Sequence, residues 1–293
     1  KRVDLGPTIV LDQERCILCR RCVRFCREIP KTGELGVVNR GDESLLELFP
    51  GSELDNPYSM NVADICPVGA LTSKPFRYSA RTWELSRRKS VSPHDSTGAN
   101  LIVQVKNNKV LRVVAFENEP VNECWIADRD RFSYEALNSD ERLTKPMLKQ
   151  GGEWTEVDWK TALEYVANGL REVKSRHGAG AIGALVSPHS TLEELHLAGT
   201  LVRGLGSQNI DHRLRHQEFA PAEGVRWLGT SIASLSALQG ALIVGANLRK
   251  DHPLFAQRIR QAARHGCAVT AITSATLLTS TGAWAMPLRV AVV

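Results

Sequence analysis

Apolar residues return at intervals of three and four along EWTEVDWKTALEYVANGLREVKSRHG, at Leu163, Val166, Leu170 and Val173. This predicts an amphipathic helix that stops at His177–Gly178, where glycine suits the position just past a helix. The continuous apolar run AIGALV predicts a buried parallel strand. TLEELHLAGTLVRGLG predicts a second helix, opened by a capping box between Thr191 and Glu194. ALIVGAN, HPLFAQRIRQAARHG and CAVTAIT then predict strand, helix and strand, and the closing PLRVAVV reads as a further strand. Such alternation implies a doubly wound α/β layer with right-handed crossovers. Before residue 135 the texture differs: LIVQV and VLRVVAF flank Asn107–Asn108, a strong hairpin signal and the core of a small β domain.

The chain has 293 residues, enough for two or three domains, with the 43% hydrophobic and 24% charged content of an ordinary globular protein. No apolar run is long enough to span a bilayer, so direct membrane insertion is not expected. The sequence starts at Lys1 with no signal-peptide pattern, and the whole reads as an internal piece of a longer protein. The net charge of +5 is not gathered into a tail or a stripe interleaved with aromatics, so nucleic acid is not an expected partner.

Cysteine placement changes the picture most. Four of the seven cysteines fall in CILCRRCVRFC, residues 16–26, and an odd count so clustered points to metal rather than disulfides. Cys16, Cys19 and Cys22 form C-x2-C-x2-C, the spacing of a [4Fe–4S] site that draws a fourth thiolate from elsewhere. Structural zinc favours two separate Cys pairs, and the chain has no second close pair, so zinc is not expected. Two cysteines compete to be the fourth ligand. Cys26 has the x3 spacing of a bacterial ferredoxin, where that cysteine serves a second cluster and precedes proline, but here Arg27 follows it. Cys66 precedes Pro67, in ICPVGAL. A second cluster needs three more nearby thiolates and only Cys124 and Cys267 remain, so the expected set is Cys16, Cys19, Cys22 and Cys66. Cys26 then reads as a small buried hydrophobe, and Cys267, opening an apolar strand, as a core residue.

DQERCILCRRCVRFCREI, ICPVGALTSKPFRYSARTWEL and VNECWIADRDRFSYEAL together resemble the large iron–sulfur subunit of NADH-quinone oxidoreductases. The resemblance implies a relay that carries electrons from NADH and flavin toward quinone. It matches Cys16, Cys19, Cys22 and Cys66 to one tetranuclear cluster. It implies other peripheral-arm subunits as partners. The implied location is the cytoplasmic face of a bacterial inner membrane, or the matrix side in mitochondria. The family's N-terminal ferredoxin-like part, with its own clusters, would lie before Lys1.

The implied architecture is α+β and α/β, multidomain. Residues 1–77 form a small ferredoxin-like [4Fe–4S] domain, 78–134 a small β domain, and 135–293 an incomplete molybdopterin-oxidoreductase-like α/β domain. Some relatives carry a second cluster at C-x2-C-x3-C-x27-C. The matching positions here hold Ser92, Asp95, Ala99 and Ala127, so that cluster's ligands are lost, and Cys124 near them is incidental. In related formate dehydrogenases a metal ligand follows an N-x-D motif. Here NIDHRLRHQEF places Gln217 about there, and an amide is a poor ligand, so no molybdenum is expected. His212 and His216 lie four apart without an H-E-x-x-H pattern and read as polar surface or a core hydrogen bond.

No nucleophile–base pattern and no Gly-rich phosphate motif appears, so NADH and flavin are expected on other subunits and no residue here is expected to be catalytic. Arg20, Arg21, Arg24 and Arg27 flank the cysteines, where positive charge would raise a cluster's potential or receive an acidic neighbour. A molybdenum enzyme subunit and a purely structural iron–sulfur module are the rival readings.

Overall fold

The structure, a computed structural model, describes residues 2–213, 224, 227–273 and 289–292. They divide into one compact unit built from 1–138 and 228–293, and a second from 139–227.

In the first unit β1 (Arg2–Asp4) and β2 (Ile9–Asp12) pair antiparallel. Gly6 at their bend has φ +152°, and a Cβ there would lie 2.7 Å from the Leu54 carbonyl oxygen, so no larger residue fits. Helix α1 (Arg21–Glu28) buries Cys22, Phe25 and Cys26. A hairpin follows, β3 (Leu35–Val38) on β4 (Leu45–Leu48), with Val37 opposite Leu46. Short α2 (Asn61–Asp64) leads into β5 (Leu71–Ser73), which joins β2 to complete a three-stranded sheet.

Next come β6 (Ser86–Val91), β7 (Asn100–Lys106) and β8 (Lys109–Ala115), a second three-stranded antiparallel sheet. Asn107 and Asn108 both take positive φ, 50° and 58°, as the hairpin signal requires. Helix α3 (Asp128–Phe132) packs back on β8 and carries the buried Asp130 and Arg131.

The second unit begins with the hairpin β9 (Met147–Gln150) and β10 (Glu153–Glu156). The helix expected from Glu153 onward therefore starts later, as α4 (Trp159–His177). Gly151 and Gly152, both at positive φ, turn the chain into a strand pair, and Asp158 caps the helix by accepting the Thr161 N–H. The helix ends at Gly178, φ 83°, as its sequence predicts. Its apolar stripe is not covered within this unit, where Leu163 and Val166 are exposed. AIGALV contributes only β11 (Ala184–Leu185), with Leu185 exposed, because its ladder to β12 (Ile210–Asp211) is two residues long and has one neighbour. Between them α5 (Leu192–Gly204) carries the expected capping box of Thr191 and Glu194.

The chain then returns to the first unit with β13 (Gly240–Val244), α6 (Leu248–Asp251), α7 (Pro253–Arg264), β14 (Ala268–Thr273) and β15 (Arg289–Val292). These strands form a parallel sheet in the order β13-β14-β15. Helix α7 is largely buried. Arg258 pairs with Glu123 at 2.7 Å, and the fully buried Tyr58 donates its hydroxyl hydrogen to the Pro253 carbonyl. Cys267 is buried beside Ile259 and Val269, as a core residue should be.

Asp128, at the start of α3, accepts hydrogen bonds from the Ser59 hydroxyl and the Met60 N–H. Burial nevertheless pushes its carboxyl up to about 6 from the ordinary 3.8. Between those values the folded state binds more protons than the unfolded, so stability falls as pH rises through the window. Asp128→Asn should flatten this slope, because its amide oxygen still accepts from Met60. Denaturant melts between about pH 5 and pH 7 check it, the wild type losing stability on the order of 1–2 kcal/mol relative to the variant.

Candidate metal centre

The cysteine loop leaves β2 through a single turn at Gln13–Arg15 and bends twice into left-handed conformation, at Leu18 (φ 52°) and Arg20 (φ 60°). Each non-glycine residue held there costs about 1–2 kcal/mol, so surrounding contacts must over-determine the bend. The bend turns Cys16, Cys19 and Cys22 toward one cavity, and Cys66 lines the same cavity.

Sheet register brings the fourth thiol in. Leu11 on β2 faces Leu71 on β5, and the Asp12 N–H donates to the Ala70 carbonyl at 2.8 Å. Cys16 leaves one strand a few residues beyond this pair and Cys66 enters the other a few residues before it. Helix α2 ends at Asp64, with Ile65 as its cap, and Pro67 lacks an N–H to continue it. Gly69, φ 62°, then turns the chain into β5.

The rest of the wall is aliphatic, with Leu11, Leu71 and the cross-strand pair Val37 and Leu46 among its residues, and Arg20 and Arg21 as its only charged side chains. Cys22 is buried, Cys16 and Cys66 are half-buried, and Cys19 is exposed. Burial pushes the Cys22 thiol up to about 11, so an uncompensated thiolate is disfavoured there and deprotonation is tied to metal binding. Four thiols in an aliphatic pocket with no competing carboxylate or imidazole fit a [4Fe–4S] cluster's donor set. Among the described residues no three His, Cys, Asp or Glu side chains converge on the point that one ion would occupy. A cube asks for something else, thiolates set apart around four irons.

Cys26 lies one helical turn past Cys22, on the same side of α1 but buried more deeply. It is fully buried in the hydrophobic core and absent from the cavity wall. Burial, with the Glu34 carboxylate nearby, pushes its thiol far up. Cys124 is exposed.

On the outer side of Cys19 a groove of about 720 Å³ is lined by Arg20, Arg24, Arg27 and Arg40 with no acidic residue. Arg40, Val37 and Leu46 carried no sequence signal, because the hairpin that presents them has no motif of its own.

The second motif is filled by a polar network. The buried Ser92 hydroxyl donates to Asp130 at 2.5 Å, and Asp95 is ion-paired with Arg129 at 3.1 Å while accepting the Thr97 N–H. Ala99 and Ala127 are fully buried. One already paired carboxylate, a hydroxyl and two methyls do not fit an iron–sulfur cluster. His212 lies beside Asp211 on partly exposed backbone, and Gln217 and His216 fall outside the described residues.

Three family descriptions match the chain. "NADH-quinone oxidoreductase subunit 3, ferredoxin-like domain" covers residues 6–72. "NADH-ubiquinone oxidoreductase NDSU1/NuoG-like, 4Fe-4S domain" covers 85–135, where the residues just described do not support a cluster. "Molybdopterin oxidoreductase" covers 142–285. The class is therefore a chain of ferredoxin-like and 4Fe-4S-type domains joined to a molybdopterin-oxidoreductase-type domain. The NADH-quinone oxidoreductase G subunit of Rickettsia felis is 36% identical over 263 residues, covering 89% of this chain. The NADH-ubiquinone oxidoreductase 75 kDa subunit of Reclinomonas americana is 33% identical over 276 residues, covering 88%. The chain belongs to this family, the G subunits of NADH-quinone oxidoreductase, and spans 38% and 39% of those two relatives' lengths. Among solved structures, acetylene hydratase from Pelobacter acetylenicus overlaps 63% of this chain and 27% of its own, at a TM-score of 0.49 and 17% identity.

Proposed function

We propose that this chain relays electrons in the peripheral arm of an NADH:quinone oxidoreductase, respiratory complex I, from the NADH and flavin side toward quinone. Cys16, Cys19, Cys22 and Cys66 would hold the iron of one [4Fe–4S] cluster. The observation that carries the reading is a single aliphatic cavity lined by all four thiols, with Cys19 reaching the surface. When bound, the cluster supplies one-electron oxidation and reduction without bond making. The protein's own part is to present the thiolates, keep water out with Leu11, Val37, Leu46 and Leu71, and set the local charge. The partners are the flavin- and cluster-bearing subunits of the same arm. Among the described residues no helix is long and apolar enough to cross a membrane. The complex would place the chain at the cytoplasmic face of a bacterial inner membrane, or the matrix side in mitochondria.

Anaerobic reconstitution of the chain followed by elemental analysis tests this. About four irons with matching sulfide, no stoichiometric molybdenum or zinc, and reversible one-electron reduction are expected. About eight irons, stoichiometric molybdenum, or zinc without sulfide would overturn the single-cluster relay.

Arg24 bears on the potential. It is in the groove beside Cys19, and positive charge there favours the more negative, reduced state. Arg24→Glu should lower the midpoint potential by tens of millivolts, less at high salt because the site is solvent-facing. An unchanged redox titration would remove Arg24 from the tuning set.

A further inference from the structure

A separate cavity of about 370 Å³ opens between the β1–β2–β5 sheet and the β8–α3 layer, inside the first unit. Six arginines line it, Arg2, Arg15, Arg77, Arg81, Arg112 and Arg131, against one carboxylate, Asp64. Arg15 pairs with Asp12 at 3.6 Å and Arg131 with Asp64 at 2.7 Å. Among the described residues no carboxylate lies within ion-pair reach of Arg2, Arg77, Arg81 or Arg112.

Two of these cations are removed from water. The Arg131 side chain is only 5% exposed and its buried Nε has no hydrogen-bond partner. Arg112 is half-buried over the Phe76 ring, 4.3 Å from its centroid, and its Nε donates to Gln104. Burial, with Arg131 and Arg87 nearby, holds its pKa below the ordinary value, with Asp64 opposing only at a distance. Two guanidinium groups near each other in a partly desolvated wall, only one of them paired with the carboxylate, are costly, and an anion would offset both the desolvation and the mutual repulsion. Nearer the mouth, Arg77 and Arg2 lie over the exposed Tyr78 ring at 5.0 and 5.9 Å, which limits their freedom in advance.

We propose that this cavity binds a small phosphate-bearing molecule, its oxygens taken by Arg77, Arg81 and Arg112. Guanidinium forks match phosphate oxygens in pairs. The volume lies in the range of small-molecule sites, and a concave wall with a deep cation differs from the broad, flatter surface that a protein partner covers. Among the described residues Leu71 alone is shared with the walls of the cysteine cavity, so this site stands apart from the electron-relay reading.

Calorimetric titration of the cluster-loaded chain with inorganic pyrophosphate is the test, with ADP added to learn whether a base contributes. Pyrophosphate should bind at low salt and weaken as salt rises. Affinity should fall at least about tenfold in Arg112→Gln and again in the Arg77→Gln/Arg81→Gln double variant, whose rim position spares the core. Cluster absorbance and a thermal melt report folding in each variant, and Lys145→Gln in the second unit should bind as the wild type does. No pyrophosphate binding at millimolar concentration, or binding unchanged in the rim variant, would overturn the proposal. So would binding of a glutamate-rich peptide without binding of pyrophosphate, which would make the surface a protein dock.

Discussion

Replacing Cys66 with alanine will leave the chain unable to hold its iron, whereas Cys26→Ala will keep about four irons and the same absorption spectrum. Both cysteines stand close to the C-x2-C-x2-C loop in some sense, Cys26 in sequence and Cys66 in space. Cys66 lines the cavity that Cys16, Cys19 and Cys22 face, delivered by the pairing of β2 with β5. Cys26 is fully buried in the core instead, on the same helix as Phe25, whose ring lies 4.9 Å from that of Trp125. Three thiols leave one iron without a protein ligand, so the Cys66 variant should lose cluster stability outright. The Cys26 variant removes only a sulfur from a packed site and should cost about 1 kcal/mol of folding stability. Iron and sulfide counts on the two purified variants decide it. Iron lost from the Cys26 variant and kept in the Cys66 variant would reverse the ligand assignment.

The second large effect is expected at Asn61. This side chain is wholly buried at the start of α2. Its amide donates to the carbonyls of Tyr58 and Ile126, both at 2.8 Å, and its oxygen accepts from the Ile126 N–H and the Arg131 guanidinium at 3.3 Å. Asn61→Ala strands the Ile126 N–H and carbonyl in a region closed to water, and takes one hydrogen bond each from the Tyr58 carbonyl, which keeps the residue 61 N–H, and from Arg131, which keeps Asp64. At about 1–3 kcal/mol for each unsatisfied buried group, partly relaxed, the loss should be about 4 kcal/mol. The same change frees α2, which precedes Cys66, so cluster loss should run ahead of global unfolding. Denaturant melts followed in parallel by cluster absorbance and far-UV dichroism would show the two transitions separate. Coincident transitions with a loss below about 1 kcal/mol would mean that water replaces the amide.

Local rules predict the pieces of this protein well where each signal lies in consecutive residues. The Asn107–Asn108 hairpin, the Thr191–Glu194 capping box, the stop at Gly178 and the buried Cys267 each depend on a few neighbours. The start of α4 falls later than its pattern suggests because EWTE carries the same alternating polarity in a helix turn as in an exposed hairpin arm. The Gly151–Gly152 turn, together with the strand before it, decides between them. AIGALV reads as a full buried strand by composition, yet its ladder lasts two residues, because pairing depends on a partner's register and not on apolar content.

The candidate site shows the same division. By itself the sequence determined the donor type, the three-cysteine loop, the Cys–Pro pair and the loss of thiols at Ser92, Asp95, Ala99 and Ala127, since identity and spacing are local properties. Only the tertiary structure decided that Leu11 faces Leu71, that Val37 and Leu46 close the cavity wall, and that Ser92, Asp130, Asp95 and Arg129 fill the second motif with hydrogen bonds. It also gathered six arginines from β1, β8, α3 and the intervening loops around one cavity. Residues so far apart in the chain meet through sheet register and helix packing, which depend on the burial of distant apolar side chains against one another and leave no local pattern to read.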